Sequence, residues 1–549
     1  MNTPPTSGLH WIDGTIIIAY LGVLAGIGYY YSRKSHSLDE FIRGTGRYGW
    51  LTLGLSLMAA LNSGMDYIQA PAIAFGIGMI YAGSVLSFLP LYPWVARVTL
   101  PFYKRLNTYS AYEYLELRFG VGVRLIAAAI FIFWRVGWMA GAIYVPCMAV
   151  NVVAGGQLDV PLTVAVLGIV VTLYTMAGGM KAVVWTDVAQ FCVMMGGLAV
   201  TFWVVLAQVP DGVAEVARLA AQSGRLDFVA RGAEAGVGFW GAIKHFFSTE
   251  ITFTGIVFVV TLSRFTAFTS DQVTIQRLQS SASLADARRS FVVQAITDVV
   301  WIVVLGCVGL ALFAYYQHHV YPAGMQNDRV LPHFMREHFP VGVVGLVIAA
   351  IFAASLSSVD AALNATASIV TVDFYNRLWL GGLRPLHDMP PEEQRRHLRV
   401  SRLATLGLGL LMVAIGVNVE RMGELYSAAN RLLGAFFGPL FGIFFLGMFS
   451  RRAHSAAVIV GALAGLASSC FASFFKTAAW LKGVSGALFG PAFVDFFDRL
   501  SWLWPSPIGV TVTLLVGFAA SRLLPARRES DAPPLTFAEV MQRPEPAET

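Results

Sequence analysis

Residues 349–368 read AAIFAASLSSVDAALNATAS, inside an apolar segment long enough to cross a bilayer. At its middle lie Ser355, Ser357, Ser358 and Asp360. A carboxylate at mid-membrane costs about 2.5–3.5 kcal/mol on insertion scales, so Asp360 asks for a role that offsets that cost. Ala354, Ser357, Ser358 and Ala361 are spaced i, i+3, i+4, i+7 and share one helix face. A small, oxygen-rich face does one of two things. It lets another helix approach closely, with its hydroxyls bonded back to helix carbonyls. Or it replaces part of a cation's hydration shell. Packing needs no carboxylate, so Asp360 moves the balance toward the second.

A second constellation is GLSLMAALNSGMDYIQAPAIAFGIGM, with Asn62, Ser63, Gly64 and Asp66 at mid-span, then Pro71, Gly76 and Gly78. These residues at membrane depth predict either an unwound stretch or a kinked structural helix. Exposed backbone at that depth is tolerated only where it lines a cavity or meets protein, and freed carbonyls can hold a cation. A third is YTMAGGMKAVVWTDVAQ, which carries Asp187 about one turn into an apolar run. A fourth, FTAFTSDQVTIQRLQSSASLADARRS, ends a helix with Asp271, Gln272, Gln276 and Arg277.

These residues need long apolar helices to position them, and the composition supplies such helices. The chain has 549 residues, 56% hydrophobic and 13% charged, against about 25% charged in soluble domains. No strict alternation appears, so a β-barrel is not expected. Thirteen apolar segments are predicted: 12–31, 50–78, 80–98, 123–153, 159–178, 182–207, 248–270, 291–316, 341–372, 402–419, 426–449, 454–475 and 505–524. The first reads as a retained helix, not a cleaved signal.

An odd count puts the two ends on opposite sides. Of the 38 Lys and Arg, 25 fall on the side of the C-terminal tail, 10 on the other, and Arg135, Arg264 and Arg431 within or at the edge of helices. The positive-inside rule then places the N-terminus outside and the tail in the cytoplasm. The excess basic charge is a topology signal, not a nucleic-acid footprint. The inserts 208–247, 317–340 and 476–500 face out, and the polar, proline-rich tail 525–549 reads as disordered. Four cysteines without metal or disulfide spacing predict no disulfide framework. GVGFWG lacks the strand–turn–helix context of a dinucleotide loop, HFMREH lacks zinc spacing, and no Walker motif appears. Nothing here reads as an enzyme.

GGMKAVVWTDVAQ, TSDQVTIQR followed by ADARRS, AAIFAASLSSVDAALNATAS followed by DFY, TYSAYEYLELRFG and PSPIGVTVTLLVG occur in order across nearly the whole chain. Together they resemble the sodium:solute symporter family, whose members include sodium–glucose, sodium–proline, sodium–sialic acid and sodium–iodide cotransporters. The resemblance implies an all-α polytopic membrane protein with a LeuT-type core of two inverted five-helix repeats. The first repeat would span 48–207 and the second 248–450. One N-terminal helix lies within 1–47, a loop over 208–247 joins the repeats, and two further helices occupy 451–524 before the tail. It also implies Na⁺ as coupling ion, bound by backbone oxygens of Ala59, Asn62 and Ala354 and by the hydroxyls of Ser357 and Ser358. Five neutral oxygens suit a hard cation. Some relatives hold a second Na⁺ near the aspartate matching Asp187. Here Asp360 and Ala361 stand where hydroxyl residues are frequent. A second Na⁺ or a proton at Asp187, Ser357 and Asp360 stays open, as does an arginine partner for Asp360.

The resemblance places the solute beside that ion, among Asn62, Ser63, Asp66, Arg135, Asp271, Gln272, Asn430 and Arg431. A guanidinium fork suits a carboxylate, so Arg135 and Arg431 point to an anionic or zwitterionic solute, a sugar acid, carboxylate or amino acid; Asp66 and Asp271 could equally hold a cationic or amino group, so the charge of the solute stays open. The competing reading pairs Arg135 with a protein carboxylate such as Asp66 or Asp360. A sugar is disfavoured because Val273 follows Asp271-Gln272 where an aromatic gate is expected. The expected function is Na⁺-coupled import by alternating access, by a monomer in the cell membrane, with a proton-coupled carrier or an uncoupled uniporter as alternatives.

Overall fold

The computed structural model describes residues 9–33, 38–44, 48–106, 108–227, 239–249, 251–379, 390–419, 425–525 and 535–543. Its main elements are α1 (Trp11–Ser32), α2 (Trp50–Leu61), α3 (Gly64–Ile77), α4 (Met79–Leu106), α5 (Val121–Val153), α6 (Val160–Ala207), α7 (Phe253–Ser270), α8 (Gln272–Gln279), α9 (Leu284–His318), α10 (Val343–Ile369), α11 (Pro391–Asn418), α12 (Leu425–Phe449), α13 (Ser455–Phe474) and α14 (Pro505–Leu523). Among the described residues, eleven helices are long and apolar enough to cross a membrane.

The expected thirteen segments differ from those eleven helices at two places. Segments 159–178 and 182–207 form one 48-residue run, α6. A straight helix of that length would extend about 72 Å, more than twice the hydrocarbon core. It turns at Gly179, whose φ of 59° and ψ of −159° are not helical. A Cβ there would lie 2.5 Å from a ring carbon of Phe41, so only glycine lets that ring close on the turn. Segment 50–78 is divided instead into α2 and α3, neither long enough to span alone.

α10 is the axle of the fold. Every residue from Val347 to Ile369 is buried, which is why the segment is rich in alanine and serine rather than leucine. Small residues let α2, α5 and α6 pack closely around it. α1 is tied to its start, where Asp13 Oδ1 accepts the N–H groups of Gly342 and Gly345, both at 2.7 Å. That carboxylate complements the positive end of the α10 dipole.

Each of the three polar inserts carries helix: Val213–Gln222 lies in the first, Val330–His338 in the second, and Ala479–Phe489 with Pro491–Arg499 in the third. The four cysteines are free. The tail departs from expectation, because residues 535–543 are ordered and carry a short helix, Phe537–Met541. Val540 is fully buried, Phe537 stacks on Phe102 at 6.3 Å, and Glu539 pairs with Arg451 at 2.8 Å. Composition marks this tail as polar, but three apolar side chains, Leu535, Phe537 and Val540, dock these nine residues on the core. Ending the chain at residue 534 should lower the melting temperature by roughly 2–5 °C, since each lost apolar contact stabilises by up to about 1.5–3 kcal/mol. An unchanged melting temperature in detergent would refute that docking.

Candidate functional site

The break between α2 and α3 creates the first feature. Asn62 and Ser63 are extended, with φ/ψ of −109°/140° and −121°/165°. In a continuous helix the N–H of Ser63 would bond Ala59 O. Here it donates to Asp66 Oδ2 at 2.7 Å, and the Ser63 hydroxyl donates to the same oxygen at 3.0 Å. This capping box starts α3 and leaves Ala59 O without its helical partner. α10 supplies a replacement: Ser357 Oγ donates to Ala59 O at 2.8 Å and lies 3.1 Å from Ala354 O. Ser358 Oγ is 3.2 Å from Ala354 O and 2.9 Å from Ser355 O. Gly64 is the point of contact, because a Cβ there would sit 2.7 Å from Ile351 O.

Two carbonyls and two hydroxyls therefore converge where α2 ends against α10. A hydroxyl that donates its one proton keeps its lone pairs, so these oxygens can face a cation without rearranging the helices. All are hard and neutral, and they fit Na⁺. Of the expected ligands, Ala59, Ala354, Ser357 and Ser358 are brought together. Asn62 is expected there through its backbone oxygen; its side chain is a separate group, donating to Asp298 Oδ1 at 2.7 Å and to Met58 O at 3.0 Å.

Asp187 and Asp360 have different surroundings. Asp187 Oδ2 accepts from Arg277 Nη2 at 2.8 Å and from Ser56 Oγ at 2.5 Å. Arg277 Nε donates to Ser56 Oγ at 2.9 Å, closing a fully buried triad of α2, α6 and α8. An arginine partner was one option for Asp360; Arg277 serves Asp187, and among the described residues no arginine hydrogen-bonds Asp360. Asp360 Oδ2 accepts from Tyr174 OH at 2.9 Å and Thr186 Oγ1 at 3.3 Å. The other carboxylate oxygen of each aspartate has no hydrogen-bond partner among the described residues. Ser357 directs its hydroxyl to the carbonyls above rather than to Asp187 or Asp360. Arg277→Gln leaves Asp187 buried and unpaired, so it should destabilise by about 3–5 kcal/mol. The double variant D187N/R277Q should recover most of that in thermal melts. Equal melting of the two would contradict the pairing.

The second break lies between α7 and α8, at Asp271 (φ −88°, ψ 119°). Asp271 Oδ1 caps α8 by accepting the Val273 N–H at 2.9 Å, while Oδ2 pairs with Arg135 of α5. The helix taken to end at Asp271 continues after one extended residue. Both breaks open onto one cavity of about 230 Å³. α2 and α3 contribute Asn62 and Asp66, α5 Trp134, Arg135 and Trp138, α7 Arg264, and α9 Gln294, Asp298 and Trp301. Arg135 lies 4.1 Å from the Trp134 ring centre, a cation–π contact that holds the guanidinium on the wall. Across the cavity Arg264 Nη2 bonds Asp298 Oδ2 at 2.7 Å.

Some expected solute residues lie elsewhere. Arg135 has a protein carboxylate as partner, but it is Asp271 rather than Asp66 or Asp360. Ser63 serves the capping box. Gln272 accepts the Ala111 N–H at 2.9 Å and donates to Tyr109 O at 3.2 Å, so it is a tie to the neighbouring segment. Arg431 is not among the cavity-lining residues, where α12 presents Leu433 and Phe437. The Asn430 side chain lies outside the described residues. Sequence reading missed Gln294, Asp298 and Trp301. Their spacing, i, i+4, i+7 within segment 291–316, puts them on one face, and an aspartate in that apolar run was the available signal.

Beyond Asp271, polar ties close the structure. Tyr112 OH donates to Ser270 O at 3.0 Å and Tyr103 OH to Thr269 O at 2.6 Å. Arg124 and Ser110 both bond Asp373, at 2.5 and 2.8 Å, and Arg377 bonds Glu116 at 2.6 Å.

Comparison with known proteins identifies the family and the fold. The model of the sodium:solute symporter family matches residues 41–466. The chain is 28% identical over 461 residues to the sodium/sialic acid symporter SiaT of Proteus mirabilis, covering 83% of this chain and 88% of that protein. It is 32% identical over 478 residues to the sodium-dependent multivitamin transporter of Oryctolagus cuniculus, covering 84% and 70%. The solved structure of a Na⁺-coupled sialic acid symporter, substrate-bound and outward-open, matches with a TM-score of 0.79 at 25% identity, covering 94% of this chain and 99% of that one.

Proposed function

Because the chain belongs to the sodium:solute symporter family, we propose that it imports a small carboxylate-bearing solute with Na⁺ held between α2 and α10. The protein is a multi-pass membrane transporter of LeuT-type fold, not an enzyme, and Na⁺ is its coupling ion. In our reading α2 to α6 form one repeat and α7 to α12 the other. The ends of the chain lie on opposite sides of the membrane, with the N-terminus outside. The unit is a monomer.

One observation carries the ion site. The break at Asn62–Ser63 takes the helical partner from Ala59 O, and Ser357 meets that carbonyl at 2.8 Å. Na⁺ there pins the broken helix to α10 and sets the cavity on the other side of the break. Arg135 supports the carboxylate, since it lines the cavity and a guanidinium serves two carboxylates at once. The unpartnered oxygens of Asp187 and Asp360 support a second cation beside α6 and α10.

One Na⁺ crossing about 100 mV releases about 2.3 kcal/mol, and a roughly tenfold Na⁺ gradient adds about 1.4 kcal/mol. Together these sustain roughly several-hundred-fold accumulation of a neutral solute. An anion would use up the electrical part unless a second cation accompanies it. A thermal-shift screen tests the proposal, crossing Na⁺ and K⁺ with carboxylates, sugar acids, amino acids and sugars. A ligand that binds only the native state raises its melting temperature. The expected result is a carboxylate that stabilises in Na⁺ and not in K⁺. Stabilisation indifferent to the cation but dependent on pH would refute it.

A further inference from the structure

The two halves of the broken helix share one splint. α9 runs unbroken beside both: Val293 lies against Gly54 of α2, the Trp301 ring is 5.5 Å from the Tyr67 ring of α3, and Gly309 meets Pro71. Asp298 falls between these contacts, level with the break. A carboxylate in an apolar run is costly, and its two oxygens show what offsets the cost. Oδ2 pairs with Arg264 of α7 at 2.7 Å, and that guanidinium lies 3.6 Å from the centre of the Phe88 ring. An ion pair holding α7 to α9 explains this half. It does not explain Oδ1, which accepts Asn62 Nδ2 at 2.7 Å from a residue in neither α2 nor α3. Asn62 uses both amide hydrogens, one on Asp298 and one on Met58 O at 3.0 Å. Its side chain is therefore folded back over the end of α2 and anchored from α9. The next residue is anchored separately, since the Ser63 N–H is held by Asp66 Oδ2 at 2.7 Å. The peptide group between Asn62 and Ser63 is thus clamped at both ends. In a trans peptide the carbonyl points opposite to the N–H, so these two aspartates fix the direction of Asn62 O, the oxygen expected to face Na⁺.

We propose that Asp298 is a positioning residue for the ion site: through the Asn62 side chain it sets the main chain of the break for Na⁺, and through Arg264 it ties that setting to the cavity wall. The proposal rests on the reading of α2 and α10 as the ion site, and adds to it a carboxylate that does not itself contact the ion. Asn62, Asp298 and Arg264 all line the cavity, and the two hydrogen bonds that join them are each 2.7 Å. An ion that fixes Asn62 therefore fixes Arg264. A group in the cavity that draws Arg264 away loosens the hold on Asn62, because coupling between two sites is reciprocal.

The test takes the Na⁺ dissociation constant of the full-length protein, with no solute added, from the rise of melting temperature with Na⁺ at an ionic strength held by K⁺. Asp298→Asn offers one acceptor oxygen to two donors, Arg264 and Asn62, and should weaken Na⁺ binding about tenfold, within the usual range for coupled sites. Asn62→Leu removes the amide, leaves the Arg264 pair, and should weaken it by a similar factor. N62L/D298N should bind no more weakly than the worse single variant, because both cut the same tie. A purely structural role would lower the melting temperature in K⁺ and leave the Na⁺ constant alone. Ser263→Cys, next to Arg264 on the cavity wall, reports the far end once the four native cysteines are replaced by alanine. Na⁺ should slow its modification by a methanethiosulfonate, and Asn62→Leu should abolish that slowing at saturating Na⁺. If Asp298→Asn fails to fold, Asn62→Leu and the cysteine decide. The proposal is overturned if the variants bind Na⁺ as the parent does, if their effects multiply in the double variant, or if Na⁺ slows the cysteine equally with and without Asn62→Leu. Failure of the ion site itself would show differently and take the positioning role with it: the parent would melt alike in Na⁺ and K⁺, or S357A/S358A would bind Na⁺ as the parent does.

Discussion

Replacing Ser357 and Ser358 together by alanine should raise the Na⁺ concentration for half-maximal transport at least about tenfold. Two of the four converging oxygens are lost, and tenfold corresponds to about 1.4 kcal/mol, a modest loss for two ligands of a hard cation. The same substitution separates the two meanings of a small, oxygen-rich face. If the serines serve only packing, alanine frees Ala59 O from its 2.8 Å partner and lowers the melting temperature, because an unsatisfied carbonyl costs about 1–3 kcal/mol. Sodium dependence would then stay unchanged. Measuring uptake against Na⁺ concentration beside the thermal melt distinguishes these outcomes.

Arg135→Gln should weaken apparent solute affinity by about 10- to 150-fold, since a hydrogen-bonded charge contributes about 1.5–3 kcal/mol. It also leaves Asp271 buried beside a neutral amide, a change that costs stability. Asp271→Asn makes the opposite change. Asparagine still caps α8, and the guanidinium loses the carboxylate that shares it. This variant should fold and keep carboxylate binding, or tighten it. If Arg135→Gln binds carboxylates normally while Asp271→Asn loses them, the pole of the site is Asp271 and the solute is cationic. Sodium-dependent thermal shifts of the two purified variants decide between these.

Local features were legible in the sequence, and long-range pairings were not. Asn62, Ser63 and Gly64 at mid-span predicted the break between α2 and α3, because those residue types lower the cost of leaving a helix inside a membrane. The serines of α10 were legible for a related reason, as hydroxyls on one face of an otherwise apolar helix. Asp271 was read as a helix end. The one-residue break before α8 escaped notice because Asp271, Gln272, Gln276 and Arg277 were read together as the end of one helix, and no Gly or Pro marks the extended residue. The partners of the buried charges were out of reach: Asp187 meets Arg277 ninety residues away, and Asp298 meets Asn62 across 236. Read singly, Arg135 had Asp66 and Asp360 as candidate carboxylates, and packing chose Asp271 instead. The tail was misjudged because composition averages over a segment, whereas docking depends on Leu535, Phe537 and Val540.

The central claim is that solute movement and Na⁺ movement are one event. Protein reconstituted in liposomes, given an inward gradient of ²²Na⁺ and then a carboxylate found by thermal shift, measures this directly. The account predicts that the solute accelerates ²²Na⁺ entry, and that S357A/S358A needs far more Na⁺ for the same rate. Solute entry with no added ²²Na⁺ flux, accompanied instead by acidification of the lumen, would contradict it.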